Sequence, residues 1–198
     1  MGTTIGILIF DDAEELDFVG PWEVFTSTAN LLNRGDRVVL IAETLRPVVC
    51  AKGLRVLPDY SFGDAPLLDV VLVPGGMGTR REVENPVLIE WLRRAGERCT
   101  WVTSVCTGAL LLHEAGFAKG KRVTTHWAFA DTLQARPEIT VLTGTRYVRD
   151  GNLVTAAGVS AGIDMALWLV GQLHGIDCAR TVQRMIEYDP APPYTADV

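Results

Sequence analysis

The sequence predicts an α/β fold in which a mostly parallel sheet lies between two layers of helices. Short β-branched apolar runs alternate with longer segments whose apolar residues recur at helical spacing. The connections between these segments are mostly short, as in sandwiches covered on both faces. The 198 residues, 48% apolar and 21% charged, suit a single hydrophobic core.

The first half of the chain predicts a βαβ unit followed by a third core strand. Residues 4–10 form an apolar run that two aspartates end, as in a strand buried on both faces. Residues 18–32 have helical length, and residues 37–42 supply the next buried strand. Residues 47–62 contain proline and glycine and predict a small hairpin or edge excursion, after which residues 69–73 return to the core.

The second half continues the alternation. Asn85 followed by Pro86 predicts the capped start of a helix. Residues 100–105 predict a strand, Cys106 a turn, and residues 107–115 a helix. The remaining predicted elements are a strand at 123–126, a helix at 127–135, strands at 140–148 and 153–157, and helices at 160–174 and 177–187.

Composition narrows the class of protein. Residues 1–189 are expected to form one domain, and the prolines in residues 190–198 predict an extended tail. A net charge of −6 argues against a sequence-independent nucleic-acid partner. No apolar run reaches the roughly 18 residues that cross a membrane, and no secretory signal is evident. We therefore expect a cytoplasmic protein without a membrane partner.

The cysteines and histidines give no sign of a metal site or a disulfide framework. The four cysteines are irregularly spaced, without a C-x-x-C pair, and the chain has three histidines. Structural zinc needs four such ligands at regular spacings, and disulfide frameworks belong to small secreted domains. Each cysteine is therefore interpreted as a separate thiol, and no metal is expected.

Cys106 is the strongest local candidate for chemistry. It follows a predicted strand and precedes a predicted helix, and ligands collect at the carboxyl ends of parallel strands. Free N–H groups at a helix start stabilise a thiolate and lower the pKa of a cysteine from about 8.5 to roughly 3.5–7.5. From position alone, a small buried filler is an equally good interpretation of Cys106.

Two further strand-end loops carry candidates. Asp17 follows the first strand, and its spacing alone favours a helix N-cap over a catalytic acid. Gly75 and Gly76 follow the strand at 69–73, and their N–H groups can approach an anion without a Cβ in the way. A plain tight turn is equally compatible with this pair of glycines.

Two motif matches are weaker than they look. Gly76 and Gly78 suggest a dinucleotide loop, but Arg81 stands where the last glycine of G-x-G-x-x-G is required. Residues 158–162 match the G-x-S-x-G elbow around Ser160. The downstream His174 lies on the same predicted helix, too far along it for a hydrogen bond to Ser160. An N-cap is therefore favoured for Ser160.

Several motifs in order resemble the ThiJ/PfpI superfamily over nearly the whole chain and, within it, the isocyanide hydratase branch. The resemblance implies a flavodoxin-like sandwich, a homodimer and a nucleophile elbow at Cys106. It also implies that Asp17 is an acid beside the sulfur, in place of the N-cap favoured by spacing. The motifs are I-G-I-L-I-F at 5–10, L-D-F-V-G-P-W-E-V-F at 16–25, V-P-G-G at 73–76, S-V-C-T-G-A at 104–109, G-K-R-V-T-T-H-W at 120–127 and A-G-V-S-A-G-I-D at 157–164.

The activity that this resemblance implies is hydration of an isocyanide to an N-substituted formamide through a covalent cysteine thioimidate. The substrate is a small molecule, and neither a metal nor an organic cofactor is expected. Catalysis would involve Cys106, Asp17 and Thr107. The pocket that stabilises developing charge would include Gly75, Gly76, Gly158 and Ser160.

Two alternatives stay open at the level of sequence. One is a glyoxalase or deglycase acting on 2-oxoaldehydes, and the other is a cysteine that senses oxidants or ligands without catalysis. Thr107 stands where peptidase-like and glyoxalase-like members usually carry a histidine, which argues against a peptidase. His126 lies beside a tryptophan and is interpreted as a structural residue outside the catalytic set.

Overall fold

The computed structural model describes residues 2–190. The elements are β1 (Thr4–Leu8), α1 (Glu15–Leu32), β2 (Arg37–Ala42), β3 (Val48–Val49), β4 (Arg55–Val56), β5 (Tyr60–Ser61), β6 (Val70–Val73), α2 (Thr79–Glu82), α3 (Pro86–Gly96), β7 (Trp101–Val105), α4 (Gly108–Glu114), β8 (Lys121–Val123), a 3-10 helix (Trp127–Phe129), α5 (Ala130–Gln134), β9 (Ile139–Val141), β10 (Tyr147–Asp150), β11 (Leu153–Ala156), α6 (Ala161–His174) and α7 (Ile176–Met185). Seven of the strands form one sheet in the order β10-β11-β7-β6-β1-β2-β5. Within the described residues this sheet is parallel except for β10, so the predicted sandwich is confirmed.

The predicted tail at 190–198 lies, except for Pro190, outside the described residues. Among the helices of residues 2–190, none has the length and apolar character needed to cross a membrane.

Two hydrophobic cores lie on the two faces of the sheet, in place of the single core expected from the length and composition. Successive strand residues point to opposite faces, so each buried strand contributes to both cores. In β6, Val70 and Leu72 pack in the core that contains α1, α6 and α7. Val71 and Val73 pack in the core that contains α3, α4 and α5. This two-sided burial explains why the strands are continuous apolar runs rather than alternating ones.

The predicted excursion at 47–62 contains two separate features. β3 and β4 form a small antiparallel hairpin, whereas β5 adds to the edge of the main sheet in parallel with β2. The predicted start of α3 is confirmed, because the Asn85 side chain accepts hydrogen bonds from the N–H groups of Val87 and Leu88 at 3.0 and 3.3 Å.

Several predicted boundaries are wrong. The first strand ends at Leu8 rather than at residue 10, and α1 begins at Glu15 rather than at residue 18. The strand predicted at 123–126 lies instead at Lys121–Val123. The single strand predicted at 140–148 is split into β9 and β10, with Gly144 in the left-handed region at φ 70° between them. The short helix α2 was not predicted.

Candidate active site

Cys106 occupies a constrained turn between β7 and α4. Its backbone lies in the left-handed region at φ 55°, which costs a residue with a Cβ on the order of 1–3 kcal/mol. The Cys106 N–H donates to the carbonyls of Ala156 and Ala157, at 3.1 and 3.0 Å. Its own carbonyl accepts from the Thr125 hydroxyl at 2.7 Å. The end of β11 and the segment after β8 therefore hold this turn in place.

Asp17 lies in the first turn of α1 and is fully buried. Its Oδ2 accepts the Gly75 N–H at 2.8 Å, whereas its Oδ1 has no hydrogen-bond partner within residues 2–190. The N-cap interpretation is wrong, because Glu14 occupies the cap position and Asp17 follows it inside the helix. The adjacency of β6 and β1 in the sheet brings the Gly75 loop to this end of α1.

The Asp17 carboxyl titrates close to neutrality. Burial raises its pKa to about 7, and the negative charge of Glu14 acts in the same direction. The Gly75 N–H, the Cys106 side chain and the Lys52 charge all oppose this rise. The Cys106 side chain lies beside this carboxyl, because Gly75, which donates to Asp17, also lies against the Cβ of Cys106. Asp17 is therefore suited to both accept and release a proton near pH 7.

The thiol of Cys106 is a neutral group at neutral pH. Burial raises its pKa to about 12, and the charge of Asp17 adds to the rise. The backbone N–H groups of Thr107 and Val159 and the Thr107 side chain oppose it. The lowered pKa predicted from the sequence is therefore wrong: Cys106 is only 6% exposed and lies next to a carboxylate. These two effects outweigh the stabilisation that the N–H groups provide.

Gly75 and Gly76 support the site rather than presenting free donors to a ligand. The Gly75 N–H is bonded to Asp17, and the Gly76 N–H donates to the Thr107 hydroxyl at 3.0 Å. This differs from the predicted role, in which the two N–H groups stabilise an anion. Gly75 needs its missing side chain, because a Cβ there would overlap the Thr107 nitrogen and lie 2.8 Å from the Cβ of Cys106.

Gly158 and Ser160 both follow β11, but they lie in different environments. Gly158 packs against His126, where an added Cβ would lie 3.2 Å from Nε2. Ser160 is exposed, and its hydroxyl accepts from Arg146 at 3.2 Å. It precedes α6, as the N-cap interpretation requires, but its side chain makes no capping hydrogen bond. The residue between them, Val159, has φ 48° and presents its N–H to the sulfur of Cys106.

Sequence reasoning missed three residues of the site: Thr79, Arg80 and Val159. The Thr79 hydroxyl lies 2.8 Å from the Gly76 carbonyl and 3.1 Å from the Thr107 hydroxyl. Arg80 reaches the same two groups from the surface, at 3.0 and 3.4 Å. The sequence does contain a signal for Val159, because this residue follows β11, the strand that pairs in parallel with β7. The carboxyl ends of parallel neighbours lie at the same edge of a sheet, so the residues after β11 are expected near Cys106. Thr79 and Arg80 belong to α2, which carried no recognisable signal.

Other features of the chain lie away from this site. A cavity of about 780 Å³ is lined by Phe62, Trp91 and other residues of α3 and of the segment before β6. Its lining does not include Cys106, Asp17 or Thr107. Within residues 2–190, His, Cys, Asp and Glu side chains form no group of three that could hold a metal ion.

Comparison with known proteins identifies relatives over almost the whole length. Residues 3–172 match the DJ-1/PfpI family. The chain is 43% identical to the isonitrile hydratase of Pseudomonas putida, in a match covering 98% of this chain and 82% of that protein. It is 29% identical to the glutathione-independent glyoxalase DJR-1.2 of Caenorhabditis elegans, with coverage of 83% and 85%.

A solved structure agrees with these relationships. A THiJ/PfpI family protein from Pseudomonas syringae superposes with a TM-score of 0.91 and 35% identity, covering 100% of this chain and 80% of that one. The flavodoxin-like sandwich implied by the sequence motifs is therefore confirmed. The match over residues 3–172, together with 43% identity to a relative of which 82% is covered, shows that this chain belongs to the DJ-1/PfpI family.

Proposed function

We propose that this protein is an isocyanide hydratase that converts an isocyanide and water into an N-substituted formamide. The observation that carries the proposal is the buried Asp17 carboxyl, with one unpartnered oxygen, beside the neutral thiol of Cys106. The 43% identity to an isonitrile hydratase supports the choice of substrate. An isocyanide has an electrophilic carbon and little charge, so it needs a nucleophile and a proton donor in a dry site.

In the first half of the reaction, Cys106 forms a bond to the terminal carbon of the isocyanide. Its thiol proton passes to the free oxygen of Asp17 as the sulfur attacks, which avoids a free thiolate in a buried site. Asp17 then delivers this proton to the same carbon. The product is a thioimidate, in which the carbon carries one hydrogen and is joined to the Cys106 sulfur and, by a double bond, to nitrogen.

In the second half, water adds to the thioimidate carbon. Asp17 accepts one proton from the water and passes it to the nitrogen, which becomes N–H. The tetrahedral species collapses, the carbon–sulfur bond breaks, and the second water proton returns to the sulfur. The N–H groups of Thr107 and Val159 stabilise the departing thiolate. The Thr107 hydroxyl, fixed by the Gly76 N–H, orients the reacting groups, and no metal or organic cofactor enters the scheme.

We also propose that the protein acts as a homodimer. Three large apolar side chains of α1 are exposed on the surface, namely Leu16, Val19 and Trp22. They recur every three residues and therefore lie along one stripe of the helix. Exposed apolar stripes of this kind mark interfaces. The same helix carries Asp17, so a partner would stabilise the element that holds the acid.

The test is turnover of cyclohexyl isocyanide, followed by the loss of substrate and the appearance of N-cyclohexylformamide. Cys106→Ala should abolish turnover, and Asp17→Asn should lower kcat by about 100-fold or more, the usual contribution of a general base. Cys178→Ala is the matched control, because this thiol lies on α7 outside the site, and its activity should equal the wild type. Unchanged turnover in both site variants would refute the proposal.

A glyoxalase activity is the second candidate, because a glyoxalase relative is 29% identical over most of the chain. The same protein should therefore be offered methylglyoxal under identical conditions. If the protein consumed methylglyoxal but not the isocyanide, its function would be that of a glyoxalase and not of a hydratase. The remaining alternative, a cysteine that senses oxidants without catalysis, predicts oxidation of Cys106 at low peroxide with no turnover of either substrate.

A further inference from the structure

Within the described residues, some of the arginine and lysine side chains around the site are paired with carboxylates, and one is not. Arg46 pairs with Asp11 at 2.7 Å, and Lys52 pairs with Glu14. Arg81 pairs with Asp12 at 3.1 Å and with Glu82 at 2.9 Å. Arg80, next in sequence to this doubly paired arginine, forms no ion pair with any carboxylate of residues 2–190. Its positive charge is therefore uncompensated within the described part of the chain.

The Arg80 guanidinium is nevertheless held in one place. Its Nη1 donates to the Gly76 carbonyl at 3.0 Å and to the Thr79 hydroxyl at 3.1 Å. Its Cζ lies 4.6 Å from the centroid of the Phe129 ring, a cation–π contact. All the hydrogen bonds it makes within residues 2–190 use Nη1, so the N–H groups on Nε and Nη2 remain available. A guanidinium that is held in position and has free N–H donors is preorganised to bind a carboxylate.

The Arg80 guanidinium lies close to the residues proposed to react with the substrate. Nη1 lies 3.4 Å from the hydroxyl of Thr107, the residue that follows Cys106. A negatively charged substrate would meet repulsion from the Asp17 carboxylate when it approached the sulfur. Arg80 offsets this repulsion, because it is a positive charge in contact with the Thr107 hydroxyl. An anionic group attached close to the isocyanide carbon would therefore be attracted to Arg80 while the carbon reaches Cys106.

We propose that Arg80 is a specificity-determining residue that binds a carboxylate of the substrate, so that the preferred substrates are isocyanides carrying a carboxylate near the isocyano group. This inference rests on the proposed hydratase function and adds a substrate class to it. Arg80 contributes through binding and orientation and takes no part in the covalent steps. Neutral isocyanides would remain substrates but would lack this contact.

The first test compares isocyanoacetate with the neutral 2-isocyanoacetamide. The wild type should have a higher kcat/KM for isocyanoacetate than for 2-isocyanoacetamide. Arg80→Gln should lower the ratio of these two kcat/KM values about tenfold or more, mainly by raising KM for isocyanoacetate. Arg80→Lys should keep part of the preference, since it retains the charge but not the planar fork. Arg81→Gln removes the same charge one residue away and should keep the wild-type ratio. An equal ratio in the wild type and Arg80→Gln overturns the inference.

A second test needs no turnover and separates this inference from the proposed function. Cys106 is alkylated with iodoacetate or iodoacetamide, and the rates are followed by mass spectrometry of the peptide that contains it. The ratio of the iodoacetate rate to the iodoacetamide rate should fall about tenfold in Arg80→Gln and stay unchanged in Arg81→Gln. If the ratio falls in Arg80→Gln but the protein turns over no isocyanide, the anion site at Arg80 is supported and the hydratase function is contradicted. If isocyanides are turned over but the ratio is the same in the wild type and Arg80→Gln, the anion site is contradicted and the hydratase function is retained.

Discussion

At the scale of single residues, Asp17 and Cys106 set each other's protonation states. The Asp17 charge raises the pKa of the thiol, and the Cys106 side chain limits the rise of the carboxyl pKa. Near pH 8 the carboxyl is ionised and the thiol is protonated, because their pKa values are about 7 and about 12. In the proposed hydration, the pair would therefore begin with a base able to accept the proton that the nucleophile must lose.

This order of pKa values predicts the pH dependence of the proposed hydration. Below pH 7 Asp17 is protonated and cannot accept the thiol proton, so kcat/KM for cyclohexyl isocyanide should fall about tenfold per pH unit. Above pH 7 it should reach a plateau, because the thiol stays protonated up to about pH 12. Initial rates between about pH 5.5 and 9 measure the profile.

Asp17→Asn provides the comparison for this profile. The variant has no titrating base, so its residual rate should be independent of pH over the range where the wild type changes. A wild-type rate that still rises tenfold per unit at pH 9 would show that the thiolate acts without Asp17. In that case the carboxyl would not be the general base.

At the scale of elements, the site depends on close approach between loops that follow different strands. Gly75, after β6, touches the start of α4, and a Cβ on Gly108 would overlap the Val73 carbonyl. Asp17 approaches from α1 and Val159 from the loop before α6. Gly75 and Val159 supply backbone N–H groups, and α1 supplies the Asp17 carboxyl. The spacing of these loops therefore decides whether carboxyl, thiol and donors meet.

Gly75→Ala should separate these groups. The new Cβ would collide with the backbone of Thr107, which cannot move without moving Cys106, and would weaken the Gly75–Asp17 hydrogen bond. We expect a fall in kcat of about 100-fold and destabilisation by about 1–3 kcal/mol, as for other overpacked sites. Isocyanide turnover and urea unfolding measure the two effects.

Gly63→Ala is the matched control, because its Cβ would meet only the Ser61 hydroxyl oxygen, at an ordinary 3.7 Å. This variant should keep both activity and stability. If Gly75→Ala kept full activity, the contact between the Gly75 loop and the start of α4 would not position the catalytic pair.

The sequence predicts elements better than it predicts the relations between them. The alternation of strands and helices, the Asn85 cap and the turn at Cys106 follow from local patterns. The pKa of Cys106 does not, because it depends on burial and on a carboxylate far away in the chain. The role of the Gly75 and Gly76 N–H groups is likewise decided by their partners, Asp17 and Thr107. Local spacing contains no information about either partner.

At the scale of the whole molecule, the parallel topology explains why residues so far apart in sequence form one site. β11, β7, β6 and β1 are consecutive neighbours in the sheet. Because they are parallel, their carboxyl ends share one edge, where the first turn of α1 with Asp17 lies beside the loops that contain Gly75, Cys106 and Val159. The position of Arg80 follows as well, since α2 continues the loop after β6. Rigid strands therefore set the relative positions of the reacting groups.

The assembly state is the last property to be tested at this scale. Leu16, Val19 and Trp22 are each 38–39% exposed on α1 in the single chain. Association of two such stripes would remove them from water, and a stable dimer needs about 800 Å² buried on each partner. We expect sedimentation of the wild type at twice the 21.6 kDa chain mass. Trp22→Glu places a charge in this stripe and should yield the monomer.

Leu67→Glu is the matched control for this experiment. Leu67 is 73% exposed, and it lies against α3, on the opposite helical layer from α1. The same apolar-to-acidic change there should leave the dimer intact, because the site is remote from the α1 stripe. A monomeric wild type would contradict the homodimer. A Trp22→Glu protein that still sedimented as a dimer would place the interface away from α1, and the exposed stripe would then need another explanation.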